Sequence, residues 1–152
     1  MPPERAYYAL KWTNKQLMEK QNPIEEALRY VDNAKQTLME NGELNVATQY
    51  YGDPKYVRSA GHFLWSGVLI ALDAVFQVKT AQRQHPDIKD YKDAVRKRDR
   101  KLLELVNKGY ETMHIGMGYD GNKDKGICDD GFRYANAIIG YCAKLMPKQK
   151  KD

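Results

Sequence analysis

The stretch FLWSGVLIALDAVF, residues 63–76, is apolar almost all round, with Asp73 as its one charged residue. A helix that is hydrophobic on every side belongs in the centre of a group of helices. Just upstream, Asp53-Pro54 supplies a start signal, a capping acid followed by a proline at the first helical position. The pattern therefore predicts a helix from Pro54 to about Thr80. Ala60, Gly61, Gly67, Ala71 and Ala74 keep its surface shallow. Glycine disfavours a helix by roughly 1 kcal/mol relative to alanine. Two glycines in a central helix thus imply close approach by a neighbouring helix or a partner.

Working outward, the N-terminal side carries a second clear helix. Asn22 is a plausible cap, Pro23 opens the helix, and Glu25 lies three residues after the cap. Ile24, Ala27, Leu28, Val31, Ala34 and Leu38 recur at helical spacing, and Asn41-Gly42 is a stop signal. On the C-terminal side, His85-Pro86-Asp87 opens a third helix with Ile88, Tyr91, Val95, Leu102, Leu105 and Val106 as its inner stripe. Gly109 marks its end, although Tyr110 to Ile115 could extend it. The glycine-rich run Gly116–Gly126 reads as a loop. A last helix starting near Asp129 or Asp130 is lined by Ala135, Ile138, Ile139, Cys142 and Leu145. No segment alternates as a strand would. The expected architecture is all-α, an antiparallel up-and-down four-helix bundle over residues 22–147. Residues 1–21 form an N-terminal arm or peripheral helix, and 148–152 a basic tail.

The chain has 152 residues, enough for one core, and a composition of 42% hydrophobic and 30% charged residues that suits a globular domain. Net charge is +5, a mild basic excess compatible with nucleic acid. The apolar stretch Phe63–Val78 falls short of the roughly 20 residues that span a bilayer, and the N-terminus lacks a signal-peptide run. The expected location is the cytoplasm, with no membrane partner. Cys128 and Cys142, if on one helix, lie about 21 Å apart, too far for a disulfide, and read as reduced packing residues.

The helix IEEALRYVDNAKQTL, the tyrosine-rich turn into DPKYVRSAGHFLWSGVLIALDAVF, then a charged helix and a short apolar one resemble the HEPN-like helical bundles. Within that group the chain looks like a small bacterial family of unknown function. The resemblance covers Pro23 to Met146. It implies a helical bundle acting as a binding or antitoxin-like module, or a metal-independent ribonuclease. In the ribonucleases an Arg, four to six residues and a His from each of two protomers cleave RNA through its 2′-hydroxyl. Here Arg58 and His62 have three residues between them, a spacing that still places both on one helix face.

Taken by chemistry, His62 is a candidate general acid or base and Arg58 a candidate for stabilising phosphorane charge. Asp73, set in an apolar helix, is expected to meet a basic side chain or a tyrosine hydroxyl from another helix. Arg96, Lys97 and Arg100 in VRKRDRK have the charge density that phosphate binding uses, diluted by Asp93, Asp99 and Glu104. Tyr50, Tyr51 and Tyr56 cluster at the entry to the central helix, and Tyr56, His62 and Trp65 are candidates for a ligand pocket. Residues 120–131 have alternating oxygen ligands, but Gly131 stands where a calcium loop needs Glu. The sequence shows no phosphate-binding glycine loop, zinc ligand set or serine elbow, so no cofactor or metal is expected. The leading reading is a non-catalytic association module forming a homodimer or binding a protein partner. The alternative is RNA binding or cleavage by Arg58 and His62 across a dimer.

Overall fold

The computed structural model describes residues 22–78 and 86–147. The expected N-terminal arm, the basic tail and His85 lie outside these residues. The described chain is all-helical, with α1 (Pro23–Asn41), α2 (Pro54–Phe76), α3 (Ile88–Arg96), α4 (Arg100–Gly109), a π-helix (Tyr110–Tyr119) and α5 (Lys125–Leu145).

In α1 the residues Ala27, Val31, Ala34 and Leu38 are buried, one stripe at the three- and four-residue spacing of a helix face. Asn22 makes no side-chain cap. Its carbonyl accepts the Glu26 amide at 3.1 Å instead. Central helix α2 starts where the sequence puts it, with the Asp53 carboxylate accepting the Lys55 amide at 2.9 Å. It ends at Phe76, where Gln77 adopts a left-handed conformation. Helix α2 packs on α1, α5 and the π-helix, and most extensively on α1. Val57, Ala60, Leu64, Val68, Ala71 and Leu72 along it have no exposed surface. By length and apolarity α2 would suffice to cross a bilayer. Here nine of its residues, Trp65 among them, are buried against neighbouring helices.

The two glycines do what their cost suggested. A Cβ at Gly67 would stand 2.7 Å from the Ala27 carbonyl oxygen of α1. One at Gly61 would stand 2.6 Å from the Gly118 nitrogen and from the Met113 carbonyl oxygen of the π-helix.

The chain beyond α2 differs from expectation in three places. The single third helix is two. Asp87 and Asp90 form a reciprocal capping box at the start of α3, and Asp99 caps α4 by accepting the Leu102 amide at 3.1 Å. Asp99 also accepts the Tyr141 hydroxyl of α5, which ties the break to the last helix. Second, residues 116–119 belong to the π-helix and are not loop. Its exit is secured by the amides of Asp120 and Gly121, which donate to the carbonyls of Ile115 and Met117 at 2.8 and 3.0 Å. Third, α5 begins at Lys125, because Asp124 accepts the Gly126 amide at 2.7 Å and the Ile127 amide at 3.4 Å.

Cys128 and Cys142 both lie on α5, buried and free. Burial pushes each thiol up to about 12, so both stay protonated and unreactive at neutral pH.

Candidate functional site: the histidine face of α2 and the π-helix

Arg58 and His62 stand one turn apart on α2, and both are exposed. His62 is not enclosed between helices. The Arg58 Nε donates to the Tyr119 carbonyl at 3.3 Å, across the junction from α2 to the end of the π-helix. The turn beneath needs Gly121, whose φ is +64° and whose Cβ would stand 2.9 Å from the Arg58 Nε. Tyr119, whose carbonyl takes that bond, is itself 75% exposed.

The π-helix adds a residue that sequence reasoning missed. The His114 ring lies 6.4 Å from that of His62, centroid to centroid, and stacks on Tyr110 at 5.2 Å. Trp65 completes the cluster, 5.5 Å from Tyr110 and 6.0 Å from His114. Among the described residues, the His114 Nδ1 is the buried side-chain nitrogen or oxygen with no hydrogen-bond partner. Helices with i→i+5 bonding are rare and recur at functional sites. No signal in the sequence pointed to His114, because its neighbourhood reads as the frayed end of a helix running into glycines.

Burial holds the His114 imidazole below the usual histidine range, and the nearby His62 adds to the effect. The folded chain therefore binds this proton less readily than the unfolded chain does. The stability it contributes is complete above the unfolded value, about 6.5, and declines as pH falls through that value toward the folded one. The melting temperature is expected to fall more steeply between about pH 7.5 and 5.5 for the native chain than for His114→Phe. Calorimetry across that range checks this, and parallel slopes would refute it.

A cavity of about 330 Å³ opens beside the cluster, lined by Trp65, Leu69, Ile88, Tyr91, Tyr110 and His114, with Pro86 and Asp87 at the start of α3. Trp65 thus contributes to a pocket, whereas neither Tyr56 nor His62 lines it. The Tyr91 hydroxyl donates to the Asp73 carboxylate at 3.1 Å; of the two partners expected for that acid, a basic side chain or a tyrosine hydroxyl, it has the tyrosine. Asp73 is not enclosed, being exposed along one side. Partial burial raises its pKa and the Tyr91 bond opposes the rise. Tyr91 is raised by burial and by the Asp73 charge.

The remaining candidates stand apart from this region. The break between α3 and α4 separates Arg96 from Arg100, and both are exposed with Lys97. Arg96 pairs with Asp93 at 2.9 Å. Tyr50 and Tyr51 tie the connection after α1 to the start of α5, the Tyr51 amide donating to the Lys123 carbonyl at 2.9 Å. A separate open groove of about 680 Å³ between α1 and α5 includes Tyr51, Leu38, Met39 and Phe132. Its rim carries Lys35, Glu40, Glu43, Lys125 and Asp129, charges of both signs that favour neither an anion nor a cation.

With this geometry in place, residues 22–144 match a family described as Domain of unknown function (DUF5618). The chain belongs to that family. It is also similar to a solved structure, a protein of unknown function from Dyadobacter fermentans. That likeness has 36% sequence identity, covers 82% of this chain and 96% of that one, and has a TM-score of 0.73. No curated protein matches. The matched DUF5618 span takes in α1 through nearly all of α5, and so every residue of the histidine face and of the cavity.

Proposed function

We propose that this chain is a non-catalytic association module of HEPN-like, four-helix arrangement that works in the bacterial cytoplasm. It pairs with a second copy of itself through the face of α2 that carries Arg58 and His62. The observation that supports this reading is that Arg58, His62 and Tyr119 are all exposed where α2 meets the end of the π-helix, the Arg58 Nε bonded to the Tyr119 carbonyl. Arginine and tyrosine are the residue types that most often anchor protein interfaces. The Arg58 guanidinium is already steadied by the Tyr119 carbonyl, so less side-chain entropy is lost when a partner docks.

Sedimentation velocity tests the reading. The native chain is expected to be dimeric at tens of micromolar, and Tyr119→Glu to weaken the dimer on the order of tenfold or more. A native chain that stays monomeric at that concentration would remove it.

A second reading, RNA binding or metal-independent RNA cleavage across such a dimer, is favoured by the exposure of both Arg58 and His62 on one face. Under it, His62→Ala abolishes cleavage in the presence of a chelator while leaving the helical spectrum intact. Native protein with neither cleavage nor salt-sensitive RNA binding eliminates that reading.

A further inference from the structure

We propose that His62 and His114 form a pH-sensitive latch between α2 and the π-helix. With His114 neutral the π-helix is held closed on α2. With both imidazoles protonated the π-helix opens, while α1 and α2 stay packed. The latch belongs to the single chain and is independent of the association reading.

The two imidazoles sit on the two elements that part. Their ring centroids are 6.4 Å apart. The His62 ring lies close to the π-helix, since a Cβ at Gly118 would stand 3.4 Å from its Cε1 and 3.5 Å from its Nδ1. His114 belongs to the π-helix, stacked on Tyr110 at 5.2 Å and 6.0 Å from Trp65 of α2. Charge on one ring is therefore felt by the other, and the repulsion falls as the π-helix moves away.

Hydrogen bonding makes His114 the sensitive member. Its Nδ1 is buried and has no partner. A neutral imidazole can carry its one proton on Nε2 and leave Nδ1 bare, whereas an imidazolium has a proton on both nitrogens. In the closed arrangement a charged His114 would thus bury an N–H donor with no acceptor, which disfavours the charged form. Opening hands that N–H to water. Burial, and after it the His62 charge, hold this imidazole below the usual histidine range. Released, it returns toward the ordinary value of about 6.5. The open chain binds the proton more readily, so opening is favoured as pH falls through that value.

The groups around His114 add positive charge or are already engaged. From α2 the titratable group beside it is His62. From α3 the Lys92 Nζ lies 5.1 Å from the Tyr110 ring, the ring on which His114 stacks. Asp87 and Tyr91 line the cavity with His114. The Asp87 carboxylate already accepts the Asp90 amide at 3.1 Å, and the Tyr91 hydroxyl is given to Asp73. Among the described residues, α4 and α5 send no titratable group to this cavity. Glu111, on the π-helix itself, is exposed.

Opening stays local because the most extensive packing of α2 is with α1. The π-helix is the unusual element, and segments that move are drawn from the less stable parts of a fold.

Amide hydrogen exchange at about pH 7.5 and about pH 5, corrected for the intrinsic rates, tests the latch. Amides of Tyr110–Tyr119 are expected to lose protection severalfold at the lower pH, and those of α1 and α2 to keep theirs. His114→Phe keeps a ring but takes no proton, and is expected to lose this pH dependence. His62→Gln removes the neighbouring cation from an exposed position. It is expected to reduce the pH dependence and to move the His114 ring titration, followed by NMR, to higher pH. Four results would each overturn the proposal: π-helix protection unchanged with pH, α1 and α2 losing protection in step with it, a His114→Phe chain that opens as the native one does, or a His114 titration unmoved by His62→Gln.

Discussion

Gly61→Ala is expected to destabilise the fold by about 2 kcal/mol, although alanine is the better helix former by about 1 kcal/mol. The reason is what the new methyl group meets. Its Cβ would stand 2.6 Å from the Gly118 nitrogen and the Met113 carbonyl oxygen, and 2.7 Å from the Met117 Cβ. Two of these three are backbone atoms of the π-helix and cannot rotate away. Either α2 and the π-helix separate or the i→i+5 ladder breaks. Overpacking of this kind costs typically 1–3 kcal/mol and sometimes more. At Gly131 the nearest atom is the Met117 Sδ, at 2.5 Å, the end of a side chain that can turn aside, so Gly131→Ala is expected to lose less. At Gly140 a Cβ meets nothing within 4 Å, and Gly140→Ala is expected to gain about 1 kcal/mol. Urea unfolding of the three variants checks the order. A Gly61→Ala chain as stable as Gly140→Ala would mean that the π-helix does not lie on α2 as described.

That contact also shows what the sequence could and could not reveal. Gly61 and Gly67 announced a close neighbour, because glycine is unfavourable in a helix unless something needs the space. They could not say that one neighbour was a π-helix. The hydrophobic pattern around Met113 and Met117 is short, and Gly116 and Gly118 beside it look like loop residues. A wide helix buried on one side has no composition of its own. The break in the charged segment was hidden for a different reason. Val95 and Leu102, buried on either side of it, are seven residues apart, two full turns, so the apolar stripe runs on in phase as if unbroken. Only Asp99 marks the stop, and a lone aspartate among arginines and lysines reads equally well as a charge partner. The start of α5 was obscured in the same way, since Asp124 sits in a run of Gly, Asn, Asp and Lys that also makes good turns.

The candidate face was half legible. Spacing placed Arg58 and His62 together, and a tyrosine hydroxyl was one of the two kinds of partner expected for Asp73, although not which tyrosine. Exposure was not legible. A His at the head of the most apolar helix looks buried until one sees that its position falls on the one side of α2 that α1, α5 and the π-helix leave open. His114 was invisible because it sits on an element packed against Gly61, a contact between residues more than fifty positions apart.

Leu64→Ala is expected to be the most destabilising truncation in this part of the core, by about 3 kcal/mol, with the melting temperature lowered by roughly 10 °C. Leu64 has no exposed surface and lies one turn beyond Gly61 on the central helix. A Cβ built at Gly131 would meet the Leu64 Cδ1 at 3.5 Å, the Met113 Cγ at 3.6 Å and the Met117 Sδ at 2.5 Å, so these side chains of α2 and the π-helix converge on one point of α5. Removing Leu64 opens a void there. The two methionines are flexible enough to fill part of it, which keeps the loss from the upper end of the 2–5 kcal/mol range for such changes. The same convergence predicts coupling. In the native chain Gly131→Ala pushes against Met117. In the Leu64→Ala background Met117 has space to retreat into, so the added methyl group is expected to be neutral or stabilising there. A double-mutant cycle by urea unfolding measures this as an interaction of about 0.5–2 kcal/mol. Strict additivity would show that Leu64, Met117 and Gly131 do not share one packing site. Leu28→Ala, on the exposed face of α1 at 41% exposure, serves as the control and is expected to fall within about 0.5 kcal/mol of the native chain.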